Sequence, residues 1–159
     1  MSAKYPAMLI LHDIRSALNV GAIFRTADGA GVGKLYLTGY TPTPRDRFGR
    51  LDAKIAKTSL GASETVPWEV SVNIEDVITK LKAEGVTVVA VEQTARATDY
   101  NMFIPSGPTA YIFGNEITGV PEAVLAQCDC IISIPMSGNK ESLNVATTAG
   151  IIAFNHRDR

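Results

Sequence analysis

Apolar residues fall in short unbroken runs, separated by segments of helical period. Ala7–Leu11 (AMLIL) is the first run and predicts a buried strand. In Asn19–Ala30, Val20, Ile23, Phe24 and Ala27 recur at helical spacing, with Asn19 the expected N-cap and Gly31 and Gly33 the stop. Lys34–Thr38 predicts a second strand, and the loop GYTPTPRDRFGR follows it. Leu51–Ser59 reads as a short helix, and Pro67 and Trp68 as a connector beside a candidate short strand. A helix is expected over Ile74–Ala83, capped by Ser71 or Asn73 and stopped by Gly85. Val86–Val91, Thr109–Phe113 and Ile131–Pro135 are the remaining strands. Pro121–Gln127 reads as a short helix and Leu143–Asn155 as a final, mostly apolar one. Strands alternate with helices throughout, and the strands are runs rather than alternating patterns. Both features predict an α/β fold: a mostly parallel sheet with helices on both faces, as one domain over residues 1–159.

Composition narrows the chemistry. The chain is 46% hydrophobic and 19% charged, with a net charge of −1. That balance excludes a protein held on nucleic acid by bulk positive charge, though not one with a local basic strip. Cys128 and Cys130 are the only cysteines, one residue apart, and suit neither a mutual disulfide nor a structural zinc site. A reduced cytoplasmic protein is the expectation. The apolar run before His12 is too short for a signal segment or a membrane span, and no metal site or membrane association is expected. His12 and His156 stand far apart with no ligand-spaced partner.

Two familiar α/β signatures are missing. The first strand is followed by HDIRSALNVGAIFR, not by the G-x-G-x-x-G of dinucleotide-binding folds. Gly114–Gly119 has the first spacing of a phosphate-binding loop, but Val120 and Pro121 follow where Lys and Ser or Thr belong. The unusual polar residues cluster instead in NVGAIFR (Asn19–Arg25), FGNEITGV (Phe113–Val120) and IPMSGNKESLNVA (Ile134–Ala146). The last two directly follow expected strands. Ligands bind beyond the carboxyl ends of parallel strands, so these two loops should line one site.

These segments resemble, in order and spacing, the three motifs of the SpoU or TrmH group of RNA 2′-O-ribose methyltransferases, within the SPOUT class. Asn19, Gly21, Arg25 and Ala27 match the first motif; Phe113 to Glu116 and Gly119 match the second; Ile134 to Met136 and Ser142 to Ala146 match the third. The resemblance spans nearly the whole chain. It implies a C-terminal deep trefoil knot, S-adenosylmethionine as cofactor, tRNA or rRNA as partner, and a homodimer with the site near the interface. Ile151, Ile152, Ala153 and Phe154 of the final helix are the expected apolar dimer surface.

The same resemblance assigns roles, each with a plain structural counterpart. Gly114, Asn115, Ile134, Met136 and Leu143 would bind the cofactor; Gly114 could equally serve a turn, and the apolar three could simply be core. Arg25, Asn19, Glu116, Ser142 and Asn144 would form the catalytic group. Asn19, Ser142 and Asn144 could instead be helix caps, and Glu116 could cap the helix at Pro121 or be a solvated loop charge. Arg25 would stand beside the target ribose or face solvent. An arginine scarcely ever gives up its proton, so stabilising a forming alkoxide, or sharing the base role with a backbone phosphate, suits it better than acting alone as general base. Arg45, Arg47 and Arg50, with Lys54 and Lys57, would follow RNA phosphates or form a solvated face. Two rivals remain: a binding module of the same fold without catalysis, and a relative that methylates a base. No RNA-binding segment is expected beside the domain, and on that expectation the substrate leans toward tRNA.

Overall fold

The computed structural model describes residues 4–159. Its centre is a seven-stranded sheet in the order β3-β2-β1-β6-β4-β7-β5, formed by β1 (Ala7–His12), β2 (Lys34–Thr38), β3 (Trp68–Ser71), β4 (Thr87–Val91), β5 (Thr98–Asp99), β6 (Thr109–Phe113) and β7 (Cys130–Ser133). Every strand pair is parallel. Because side chains alternate across a strand, each apolar run feeds two cores. Leu9, Leu11, Leu35, Leu37, Val89, Tyr111 and Phe113 face one side, packed with α1 (Ala17–Ala30), α2 (Ala53–Ser59), α3 (Ala62–Thr65) and α6 (Val145–Arg157). Ile10, Tyr36, Val88, Ala90, Ala110 and Ile112 face the other, packed with α4 (Ile74–Ala83) and α5 (Glu122–Leu125). The α/β expectation with helices on both faces therefore holds.

Several details differ from expectation. Helix α1 starts earlier: Ser16 is its cap, with Oγ accepting from Asn19 N at 3.2 Å, which leaves the Asn19 side chain free for another task. Asp52 caps α2, its carboxylate accepting from the Lys54 and Ile55 amides. Asn73 occupies the cap position of α4 without a side-chain bond. Short α3 and the two-residue edge strand β5 carried too little periodicity to be predicted. In α6, Ile152 and Ala153 are each 1% exposed and belong to the core, so of the expected surface run Ile151 is half-buried and Phe154 is open, at 36%. No helix among the described residues is long and apolar enough to cross a membrane.

Gly21 explains why α1 and α2 lie so close. A carbon added there would collide with the Ile55 carbonyl and Thr58 Oγ1. Thr58 Oγ1 donates to Leu18 O at 2.9 Å across the same contact. The glycine of the first motif is thus a helix-packing requirement.

Candidate active site

A cavity of about 200 Å³ opens at the carboxyl ends of β6, β4 and β7, which are neighbours in the sheet. Its walls come from Val91–Gln93 after β4, Phe113–Gly119 after β6, Ser133 and Ile134 after β7, and the start of α6 from Ser142 to Thr148. This is the crevice that a parallel sheet offers a ligand.

The second and third motifs meet here as expected. Gly114, Asn115, Glu116, Ile134, Ser142, Leu143 and Asn144 all line the cavity; Asn19, Met136 and Arg25 do not. Gly114 is needed because its backbone passes under the far end of its own loop. A Cβ there would sit 2.5 Å from Gly119 C and O and from Val120 N. Asn115 is buried, and its amide is committed: Nδ2 donates to Asp13 O at 3.0 Å and Tyr40 Oη at 2.8 Å, while Oδ1 accepts from the Ile117 and Thr118 amides. Its side chain shapes the loop and has no donor or acceptor left for a ligand.

Glu116 reaches across to α1 instead of capping the helix at Pro121. Oε1 accepts from Arg15 N at 2.8 Å; Oε2 accepts from Ser16 N at 3.0 Å and Asn19 Nδ2 at 3.1 Å. Burial works to raise its pKa, but the bonds from Arg15, Ser16, its own backbone and Asn19 outweigh that and hold the carboxyl below the usual range. Asn19 continues the chain, its Oδ1 accepting from Asn144 Nδ2 at 3.2 Å. Asn144 is the cap of α6, with Oδ1 accepting from the Ala146 and Thr147 amides. One hydrogen-bonded path, Glu116 to Asn19 to Asn144, therefore ties all three motifs together around the cavity.

Two residues escaped the sequence reading. Glu92 Oε2 accepts from Val120 N at 2.7 Å and Oε1 from Gln93 N at 2.9 Å. Gln93 Nε2 donates to Ile134 O at 2.7 Å, joining the loops after β4 and β7. Both follow a strand end, and that position was the only signal that could have found them.

Arg25 lies six residues beyond Asn19, about 9 Å along α1 and about a third of a turn around it. It is exposed and makes no ion pair among the described residues. The basic strip divides. Arg45 is spent within the fold, with Nη1 donating to Gly49 O at 2.8 Å and Nη2 to both Glu64 oxygens at 3.1 Å. Arg50 is paired with Asp46 at 2.7 Å, and Arg47 has no ion pair among the described residues. Burial raises the Cys128 thiol to about 11, which makes it a poor nucleophile. No cluster of potential metal ligands occurs among the described residues.

Known proteins resemble this chain in sequence and fold. The chain is 33% identical over 147 residues to the 23S rRNA (guanosine-2′-O-)-methyltransferase RlmB of Neisseria meningitidis serogroup B, covering 92% of this chain and 56% of that protein. It is 35% identical over 151 residues to the RlmB of Pectobacterium atrosepticum, covering 95% and 59%. The crystal structure of an AdoMet-bound rRNA methyltransferase from Sinorhizobium meliloti superposes with a TM-score of 0.88 at 30% identity, over 99% of this chain and 58% of that one. The SpoU methyltransferase AviRb from Streptomyces viridochromogenes, in complex with AdoMet, gives 0.84 at 25%, over 99% and 61%. The chain spans somewhat more than half the length of these relatives. The family model for the SpoU rRNA Methylase family matches residues 6–154, and the chain belongs to that family.

Proposed function

We propose that this protein uses S-adenosylmethionine to methylate a ribose 2′-hydroxyl in RNA, with ribosomal RNA favoured over tRNA by the named relatives. The observation that carries the reading is the path from Glu116 through Asn19 to Asn144, which joins three separate motifs around one cavity. The cavity suits this cofactor. Phe113, Ile134, Leu143 and Val145 offer apolar surface for an adenine and a methylthio group, and the strand-end backbone and Glu92 and Gln93 offer polar contacts. Gly114, Ile134 and Leu143 would hold the cofactor, with Met136 beside them on the same loop.

When bound, S-adenosylmethionine would supply an electrophilic methyl group on sulfonium sulfur for transfer to the ribose oxygen, with the thioether S-adenosylhomocysteine as the leaving group. The chain's residues prepare the nucleophile. Arg25 stabilises the developing alkoxide, since a guanidinium holds its proton at any working pH. Glu116 is a positioning residue: its lowered pKa and three donors make it a weak base and a firm anchor. Asn19 and Asn144 position the start of α6, and Ser142 faces the cavity as a contact for substrate or cofactor. The hydroxyl proton passes to a neighbouring phosphate of the RNA and on to water.

Arg25 lies away from the cavity of its own chain, so a homodimer that brings in the partner's copy belongs to this reading. The exposed Leu18 on the Arg25 face of α1 and Phe154 on α6 support such an interface. The deep knot and a cytoplasmic location are part of the same proposal, supported by the family match and the two free cysteines.

Calorimetry tests the cofactor step. S-adenosylmethionine should bind the wild-type protein, and methyl transferred to unmodified ribosomal RNA should make the adjacent phosphodiester resistant to alkali. The absence of any binding would remove the methyltransferase reading. Binding without transfer would favour the binding module, and alkali-sensitive product would favour a base methyltransferase.

A further inference from the structure

The loop between β2 and α2 starts at the cavity rim, where Tyr40 Oη accepts from Asn115 Nδ2, and carries a feature the proposed reaction leaves unused. Arg45 and Leu51 pair as an antiparallel bridge and close a small hairpin. Its interior is tightly bonded. Asp46 N donates to Arg50 O at 3.0 Å, and Gly49, at φ 76°, turns the chain. The Asp46 carboxylate accepts from Phe48 N at 2.8 Å, Arg50 N at 2.9 Å and Arg50 Nε at 2.7 Å. Arg45 braces the hairpin from outside through Gly49 O and Glu64. The Asp46 carboxylate is satisfied within the hairpin while its one aromatic ring lies open: Phe48 is 66% exposed.

Charge identifies the partner. The guanidinium carbons of Arg47 and Arg50 lie 4.7 and 5.0 Å from the Phe48 ring centroid. Between Arg45 and Glu64 there are five cations and three carboxylates. All three carboxylates are engaged: Asp46 in the hairpin, Asp52 on the α2 amides, Glu64 on Arg45. Arg47, Lys54 and Lys57 make no ion pair among the described residues. An exposed ring with guanidinium groups lying over it, in a cationic surround, gives planar cationic and aromatic surface that suits an unpaired base and its phosphates. The hairpin leaves the same edge of the sheet as the cavity, and β2 is two strands from β6, roughly 10 Å away.

We propose that Phe48, with Arg47 and Arg50, is a stacking platform for an unpaired RNA base next to the nucleotide being modified. This rests on the RNA methyltransferase reading and adds to it: the substrate region is single-stranded, and it is held by a base face as well as by phosphates. Arg45 holds the hairpin in shape.

Fluorescence anisotropy with two labelled probes tests it: a short oligoadenylate, and a strand of equal length with the same phosphates but no bases. The wild-type protein should prefer oligoadenylate. Phe48→Ala should weaken that binding by about 5- to 100-fold, leave the abasic strand unchanged, and be rescued by Phe48→Trp. Arg47→Ala should weaken both strands and reduce the salt slope by about one. Equal affinity of the wild-type protein for both strands overturns the platform, and that comparison needs no variant. So does a Phe48→Ala protein that keeps its preference, or one whose only change is lost self-association in light scattering, which would make Phe48 a protein contact. S-adenosylmethionine calorimetry on the same samples keeps the two proposals apart: intact cofactor binding without base preference sinks only the platform.

Discussion

Glu116→Gln keeps the shape of a side chain on which the whole site leans and removes its charge. Three donors converge on the carboxylate, one on Oε1 and two on Oε2. A carboxamide has a single accepting oxygen, so one or two of those donors must face an N–H. Hydrogen bonds to a charged group are worth about 1.5–3 kcal/mol each. Glu116 is exposed, however, and water replaces part of what is lost, so the expected destabilisation falls to about 1 kcal/mol. In a domain of this size that lowers Tm by about 2–4 °C. The pH dependence follows from the lowered pKa of the folded state. A carboxyl depressed on folding contributes stability that is fully present above its unfolded pKa, about 4.3, and is lost as pH falls through the lower folded value. Urea denaturation of both proteins from neutral pH into strong acid should therefore show a gap that holds at neutrality and closes in acid. Cofactor affinity should fall with it, because Glu116 anchors the loop after β6. No gap at neutrality, or one that persists below the folded pKa, would refute this account of the carboxylate.

Other outcomes follow from the same geometry. Gly114→Ala forces a carbon against the Gly119–Val120 backbone, so thermal unfolding should show a loss of about 1–3 kcal/mol and calorimetry a loss of S-adenosylmethionine binding; an unaltered protein would remove the close-approach argument. Asp52→Ala strips the α2 cap and should cost about 1 kcal/mol while leaving cofactor affinity unchanged. Arg25→Ala should slow methyl transfer about a hundredfold with cofactor affinity intact, and Arg25→Lys should not restore it; near-normal turnover would take Arg25 out of the reaction. Light scattering should give twice the mass of one chain, and a monomer at micromolar concentration would leave Arg25 without a site.

Secondary structure was legible because the signals are local. The runs AMLIL, KLYLT and TAYIF are buried strands wherever they lie in the sheet, and Val20, Ile23, Phe24 and Ala27 mark the buried face of α1 without knowing what covers it. The motifs were legible too, since their residues are close in sequence. What the residues do was decided by contacts between distant segments. Asn19 looked like a cap until Ser16 took that place and left it to bridge Glu116 and Asn144, 97 and 125 residues away. The Asn115 side chain is spent on the protein, because folding brings Asp13 and Tyr40 to its amide. Ile152 and Ala153 looked like an interface until α6 packed them into the core. Arg45, Arg47 and Arg50 looked equivalent until the hairpin tied down Arg45 and set Arg47 and Arg50 beside Phe48. A hydrophobic period reports which face of an element avoids water, whereas a hydrogen-bond partner is chosen only when the sheet order brings the strand ends together.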